Sequence, residues 1–157
     1  MKFKTIFLAI ILIFIQYSNA KSLATIRKEE QQRQKEMMIT LENYVSNTNY
    51  CALIQYTSVD AAIIPDDSSK EKHTYHAKVR ETFRGPKYEN ITYTAIVKKG
   101  ESSHISSRPI VITLCHNKEG LWGLDYESRF PAQKKIIEAT KKIIEKTKDQ
   151  KKFGFCK

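Results

Sequence analysis

Two β-forming segments joined by a glycine–proline turn constrain the fold of this chain more than any other feature. Residues 74–83 alternate apolar with polar side chains, and residues 90–97 are rich in threonine, isoleucine and tyrosine, as strands that pack one face against a core usually are. Between them, Gly85 tolerates a positive φ and Pro86 cannot donate to a strand ladder. This pair of strands predicts the centre of a sheet to which the other elements attach.

Three further segments predict strands, at residues 51–59, 109–115 and 121–126. The first carries apolar residues on both faces, and the second is strongly β-forming. A glycine inside the third, Gly123, indicates a bulge or a close approach of the backbone. The segment 65–70 is polar and predicts an exposed loop.

Two helices are predicted to flank these strands. Residues 22–46 contain no glycine or proline, and their apolar positions gather in the second half, so that half should dock while the first half is exposed. Residues 132–150 predict a second helix, in which apolar pairs repeat every seven residues. The fold class is therefore α+β: a five-stranded antiparallel OB-like barrel flanked by an N-terminal helix and a basic C-terminal helix.

The first twenty residues have the pattern of an export signal. Lys2 and Lys4 precede an apolar run over residues 6–15, and a small-residue cleavage site ends at Ala20. The run is short for a transmembrane helix, which needs about 20 apolar residues, although an uncleaved anchor is the alternative. We predict cleavage after Ala20 and a periplasmic or secreted location, without a lipoprotein acceptor because Lys21 follows.

Three cysteines allow one disulfide bond in an oxidising compartment. Cys51 opens one predicted strand and Cys115 closes another, so we prefer the pair Cys51–Cys115. Cys156 could instead pair with either of them, join a second chain or stay free. Phe153 and Phe155 precede it and indicate that the C-terminus is tied down.

The sequence between residues 51 and 126 resembles the netrin-like module, the OB-type barrel also found in tissue inhibitors of metalloproteinases. The resemblance rests on residues 79–85, on the β-rich strand that follows, on Cys115 closing a strand, and on Gly120 before an apolar strand. It implies the barrel fold. Those inhibitors chelate zinc through an N-terminal cysteine, whereas the expected N-terminus here is Lys21, so the resemblance does not carry inhibition to this chain.

The net charge of +10 is concentrated at the C-terminus, where residues 134–157 hold nine lysines against three acidic residues. Three interpretations of the lysines are open: solvated flanks of a docked helix, contact with an anionic lipid or polymer surface, or contact with an acidic protein. Nucleic acid is not expected, although Tyr56, Tyr75 and Tyr93 lie in predicted strands. The candidate contact residues are Lys134, Lys135, Lys141, Lys142, Lys146 and Lys148.

No catalytic pattern is visible in the sequence. His73 and His76 are three residues apart in a strand, so their side chains should point to opposite faces, and a zinc site needs three or four converging ligands. No nucleophile-elbow or phosphate-binding glycine pattern occurs. We therefore predict that the chain is not an enzyme and has no catalytic residue, cofactor or metal. A hydrolase, the remaining alternative, would require the side chain of His73, His76 or His116 to lie close to a carboxylate.

Two positions leave structural questions open. Strict alternation would bury Glu81, so we expect either a bulge near Arg80 that turns it outward or a pairing with Arg84. Asn90 begins an N-glycosylation pattern, which has meaning only in a glycosylating eukaryote.

Together these features predict an exported, non-enzymatic protein-binding domain, of inhibitor or immunity type. The alternative is an envelope-associated protein that binds anionic lipid or polymer through the C-terminal helix. The predicted organisation is a signal peptide over residues 1–20, a helical segment over 21–49, the barrel over 50–131, and the basic helix and tail over 132–157.

Overall fold

The computed structural model describes residues 2–101, 105–124 and 128–156, with side chains from residue 23 onward. By its internal contacts the chain divides into two compact units, Met1–Ile39 and Thr40–Lys157. The first unit is helical, and its described side chains from residue 23 to 36 are exposed. Within the described parts of the chain, no helix has both the length and the apolar character needed to span a membrane.

The first helix, α1, covers Lys2–Asn47 and begins earlier than the sequence predicts. Its last two turns bury Leu41, Tyr44 and Val45 within the second unit, which confirms that the second half of the predicted helix carries the docking face. The helix ends as Thr48 Oγ1 donates a hydrogen bond of 2.7 Å to the Tyr44 carbonyl, because a threonine hydroxyl can satisfy a carbonyl of the last turn.

Six strands and a second helix follow α1. The strands are β1 (Tyr50–Ile64), β2 (Asp67–Arg84), β3 (Asn90–Lys98), β4 (Ile110–Asn117), β5 (Gly120–Trp122) and β6 (Arg129–Pro131), and the helix α2 covers Lys134–Lys146. The six strands form one sheet in the order β1-β2-β3-β5-β4-β6. An additional pairing of β1 with β4 closes five of them into a ring. The α+β class is confirmed.

The strand directions correct the prediction of five antiparallel strands. β3 and β5 pair in parallel, with Tyr93 opposite Leu121, and the short β6 adds a sixth strand beside β4. A tight turn after β4 reverses the chain and brings β5 back alongside β3. Gly123 follows β5, and a Cβ there would lie 3.1 Å from the Tyr93 ring, which confirms the predicted close approach. Asp125 and Tyr126, the end of the predicted fifth strand, lie outside the described residues.

The hairpin between β1 and β2 is longer than predicted. The sequence predicts a loop over residues 65–70, but β2 already begins at Asp67, so the turn is much shorter. The polar side chains of that stretch are mostly exposed, because a strand outside the core can carry serine and lysine. Lower in the same hairpin, the register shifts so that Leu53 faces Glu81 and Ile54 faces Val79. The extra residue is Arg80, which confirms the predicted bulge.

The core lies inside the ring of five strands. It consists of apolar and aromatic side chains from β1 to β4 that are nearly or fully inaccessible: Tyr50, Ala52, Ile54, Tyr56, Tyr75, Ala77, Ile91, Tyr93, Ala95, Ile112 and Leu114. The alternating burial of β2 and β3 follows from strand geometry, in which successive side chains point to opposite faces. This is the half-buried character that their sequences predict.

The C-terminal segment packs against the end of α1. α2 buries Ile136, Thr140 and Ile143, and beyond it the Phe155 amide donates a hydrogen bond of 3.1 Å to the Asn47 carbonyl. The Phe155 and Tyr44 rings lie 5.3 Å apart. The expectation that this end is tied down is confirmed.

The disulfide bond differs from the preferred pair Cys51–Cys115. Cys115 is bonded to Cys156, with their Cα atoms 5.3 Å apart, while Cys51 is a buried free thiol. In the β1–β4 ladder Cys51 faces Thr113, so Cys115 is its diagonal neighbour. Diagonal Cβ atoms are about 7–8 Å or somewhat less apart, beyond the roughly 3.5–4.5 Å that a disulfide spans.

We predict that Cys156→Ser lowers the free energy of unfolding by about 3 to 4 kcal/mol, because the bridge closes a loop over a sequence separation of 41 residues. Guanidinium unfolding followed by tryptophan fluorescence measures the change. The control Cys51→Ala keeps the bridge and should still lose stability when a reducing agent is added. A Cys156→Ser protein as stable as the parent would contradict the assignment.

Candidate functional site

The outer half of the β1–β2 hairpin leaves one edge of β1 open. β1 pairs with β2 over nearly its whole length, but with β4 only from Tyr50 to Ile54. Among the residues that the structure describes, no strand pairs with the other edge of residues 58–64. We call residues 58–64 and 67–74 the hairpin arm. Its open edge presents backbone amides and carbonyls to which another strand can add.

The two faces of the hairpin arm differ in character. After an irregularity between Tyr56 and Ser58, Val59 faces Tyr75 and Ala61 faces His73, so residues 59, 61 and 63 continue the core face. Val59 packs on the core, whereas Ile63 is 62 % exposed. The opposite face carries Ser58, Asp60 and Ala62, all exposed. An apolar stripe thus runs from the core to the open end of the arm.

The two histidines of β2 lie on opposite faces, as predicted. His73 is buried; its Nδ1 lies 3.2 Å from the Tyr75 hydroxyl and its Nε2 lies 3.4 Å from Glu71 Oε2. His76 is partly exposed, and its Nε2 lies 3.1 Å from Asp60 Oδ2. Each imidazole therefore has its own carboxylate neighbour, and the two do not converge.

The third described histidine, His116, is not part of either histidine–carboxylate pair. His116 lies at the end of β4, where its Nε2 is 3.2 Å from the Tyr88 hydroxyl. Across the described ranges, histidine, cysteine and acidic side chains form no group of three that could hold a metal ion. His104 lies outside the described residues. Asn90 is exposed at the start of β3.

Three tyrosines that could have offered stacking platforms are buried instead. The Tyr56 and Tyr93 hydroxyls are 2.6 Å apart, and the Tyr75 and Tyr93 rings stack with centroids 4.9 Å apart. The Arg129 guanidinium lies over the Tyr75 ring at 4.3 Å, a cation–π arrangement. Because these rings are enclosed, they stabilise the interior of the ring of strands and are not available to stack on bases.

The lysines of α2 and of the turn after it fall into two groups. Lys134 and Lys141, seven residues apart, share one flank of α2, and Lys148 follows just after the helix. Lys141 Nζ lies 2.8 Å from Glu81 Oε1, on the neighbouring β2, and Lys148 Nζ lies 2.7 Å from Glu145 Oε1. A longer contact of 3.9 Å joins Lys134 to Glu138. These three candidate contact residues are therefore partly neutralised by acidic groups.

The other group is Lys135, Lys142 and Lys146, which lie together on the opposite flank of the buried face. All three are exposed, and no ion pair is found for them within the part of the chain that the structure describes. Glu138 and Glu145 lie between the two flanks, near the side that faces away from the core. The basic surface of α2 is thus a narrow stripe, and the outermost side of the helix is acidic.

A groove beside the β3–β5 pair was not predicted from the sequence. The groove is open and has a volume of about 540 Å³. It is lined by polar residues of β2, β3 and β4 and by Trp122 of β5. Lys72 and Glu119 contribute opposite charges to it. The groove lies where the three-residue strand β5 pairs with β3.

Comparisons with protein families, with curated proteins and with solved structures found no match to this chain.

The buried thiol of Cys51 and the buried hydroxyls of three tyrosines predict that the free energy of unfolding falls at alkaline pH. Burial raises the pKa of Cys51 from 9.0 to about 12 and that of Tyr50 from 10.0 to about 12, and it also raises the pKa of Tyr56 and Tyr93. Between the unfolded and folded pKa values only the unfolded chain loses these protons, so stability falls as pH rises above about 9. Each group contributes up to about 1.4 kcal/mol per pH unit.

Denaturant unfolding at pH 8, 9 and 10 measures this slope, and absorbance at 295 nm should show phenolate appearing together with unfolding. Cys51→Ala serves as the control, because it removes the group that ionises first and should make the decline between pH 9 and 10 shallower. Stability that stays constant from pH 8 to 10.5 would exclude enclosed ionisable groups as its determinant.

Proposed function

We propose that this chain is an exported, non-enzymatic protein-binding domain that binds through its hairpin arm. The observation that carries the proposal is the open edge of residues 58–64, together with Ile63, which is 62 % exposed on the apolar stripe. Strand addition to such an edge supplies affinity through backbone hydrogen bonds and specificity through alternate side chains. The mode requires an accessible edge and an apolar stripe, and both are present.

The sequence of the arm strengthens this argument. Proteins usually protect an edge strand with lysine, proline or inward-pointing charge. Residues 58–64 contain no lysine or proline, and Asp60, their single charged residue, points to the polar face. An unprotected edge of seven residues is a liability in a protein with no use for it, so its presence supports a binding role.

Export is supported by the leader pattern over residues 1–20 and by the cysteines. The bond between Cys115 and Cys156 is of a kind that persists in oxidising compartments and is rare in the cytosol. The assignment to the netrin-like, OB-type fold belongs to the same proposal. A closed ring of five strands supports it, because the OB fold is a five-stranded, partly open barrel.

We predict that Ile63→Lys abolishes capture of a partner protein while leaving the fold intact. The substitution adds a charge where a partner strand would lie, and the exposed position costs the monomer little. The measurement is affinity capture from secreted or periplasmic extract with tagged parent and variant protein, followed by quantification of bands enriched at constant stoichiometry.

The matched control is Ile96→Lys, since Ile96 is similarly exposed at 54 % but lies on β3, away from the open edge. It should capture the same partner as the parent protein. Equal loss in both variants, or undiminished capture by Ile63→Lys, would remove the hairpin arm from the proposal.

A second candidate function is contact with an anionic lipid or polymer surface. The observation that favours it is the stripe of Lys135, Lys142 and Lys146, which is exposed on one flank of α2. Cationic helix faces are attracted to anionic headgroups by roughly 1 kcal/mol for each lysine near the surface, and salt screens the attraction.

We predict that changing these three lysines to glutamine reduces binding to vesicles of anionic phospholipid at low salt by at least tenfold. Changing Lys134, Lys141 and Lys148 is the matched control, because it removes the same charge from the neutralised flank and should have a much smaller effect. Vesicle co-sedimentation measures both. Equal effects of the two triple variants would indicate attraction by net charge alone, and no binding by the parent would exclude this candidate.

A further inference from the structure

We infer that the strand which occupies the open edge of β1 belongs to a second copy of this chain, in a two-fold antiparallel pairing centred on Ala61. The inference rests on the proposed function, since it assumes that the hairpin arm binds by strand addition, and it names the partner. The evidence is the order of side chains along residues 58–64 and the exposure of that edge.

The apolar stripe is self-complementary in this register. In an antiparallel pair, residues directly opposite each other point to the same face of the sheet. With Ala61 opposite the partner's Ala61, Val59 lies opposite the partner's Ile63, and Ile63 lies opposite the partner's Val59. Two β-branched pairs flank a pair of small residues, and the stripe continues from one core, across the two-fold axis, into the other.

Asp60 disfavours the register centred on Asp60 and the registers shifted by a single residue. Centred on Ala61, the pairing sets Asp60 opposite the partner's Ala62. A shift to a centre at Asp60 would place two carboxylates directly opposite each other, which is destabilising. A register shifted by a single residue would set the apolar face of one copy against the polar face of the other and place Asp60 on the apolar stripe.

The exposure of the arm agrees with this occupant. Residues 60–63 are exposed in the single chain, including the apolar Ala61, Ala62 and Ile63. Pairing would cover Ile63 with Val59 of a second copy, while Asp60 remains on the outer face near His76, 3.1 Å away. The self-pairing therefore covers the apolar part of the edge without burying its charge.

The first experiment uses cross-linking in the full chain. Ala61→Cys should form an intermolecular disulfide under mild oxidation, because the two introduced thiols lie opposite each other across the axis. Ala62→Cys is the matched control: it is adjacent and equally exposed, but its copies are diagonal to each other and should cross-link at least tenfold more slowly. Non-reducing electrophoresis against time measures both rates. Equal rates, or a faster reaction of Ala62→Cys, would overturn the register.

The second experiment measures mass in solution without any cross-link. Sedimentation velocity over a range of concentrations should show the parent and Ile96→Lys as dimers that dissociate on dilution, and Ile63→Lys as a monomer at every concentration. A parent that is monomeric at the highest concentration, or an Ile63→Lys protein that still dimerises, would overturn the inference.

The outcomes separate this inference from the proposed function. A monomeric parent that captures a different protein, with capture lost in Ile63→Lys, rejects the second copy and keeps strand addition. A parent dimer that persists in Ile63→Lys forms through another surface and rejects the second copy at this edge, while the capture experiment with Ile63→Lys still decides on strand addition. A dimer lost in Ile63→Lys, with rapid cross-linking of Ala61→Cys, supports the second copy as the occupant.

Discussion

The contacts of one guanidinium group hold the second unit together. Arg84, at the end of β2, donates hydrogen bonds to the Val45 carbonyl and, at 2.9 Å, to the Thr48 carbonyl. It also donates a hydrogen bond to the Thr147 hydroxyl. Its guanidinium lies 5.1 Å from the centre of the Phe153 ring. The last carbonyls of a helix have no partner within the helix and carry partial negative charge, so a partly buried cation satisfies both needs. Burial lowers the pKa of Arg84 below its usual 12.5, but a guanidinium remains charged. The end of α1, the end of α2 and the tail are thus fixed to the end of one strand.

The same end of the molecule contains the covalent bond. Cys156 bonds to Cys115 at the end of β4, and Gly154 lies so close to Asn47 that a Cβ would approach its Oδ1 to 2.7 Å. At the opposite end of the β1–β2 hairpin, β2 is paired with β3, but residues 60–63 of β1 are exposed. The unit therefore has a fixed end, where four segments meet, and a hairpin arm whose edge is open. The proposed strand addition takes place at the second end, where the edge of β1 is free to pair.

Much of this architecture follows from the sequence because it depends on local patterns. Alternation predicts β2, β-forming composition predicts β3, and seven-residue spacing predicts α2. The conflict between alternation and charge at Glu81 correctly predicts the bulge at Arg80. Long-range choices do not follow in this way. The partner of Cys115 depends on where the C-terminal tail lies in the folded chain. The parallel pairing of β3 with β5 depends on the path of the chain between them, which the sequence pattern does not specify. The sequence also could not predict which lysines of the C-terminal segment are neutralised by acidic groups. Glu81 lies sixty residues before Lys141 and contacts it only in the folded chain.

The meeting point of the four segments has a consequence for the order of folding. Thr147, one of the partners of Arg84, lies 63 residues further along the chain and therefore leaves the ribosome well after it. The full set of contacts around Arg84 can form only after these later residues have been synthesised. Until then the ends of α1 and of β2 are joined without the contribution of the C-terminal segment.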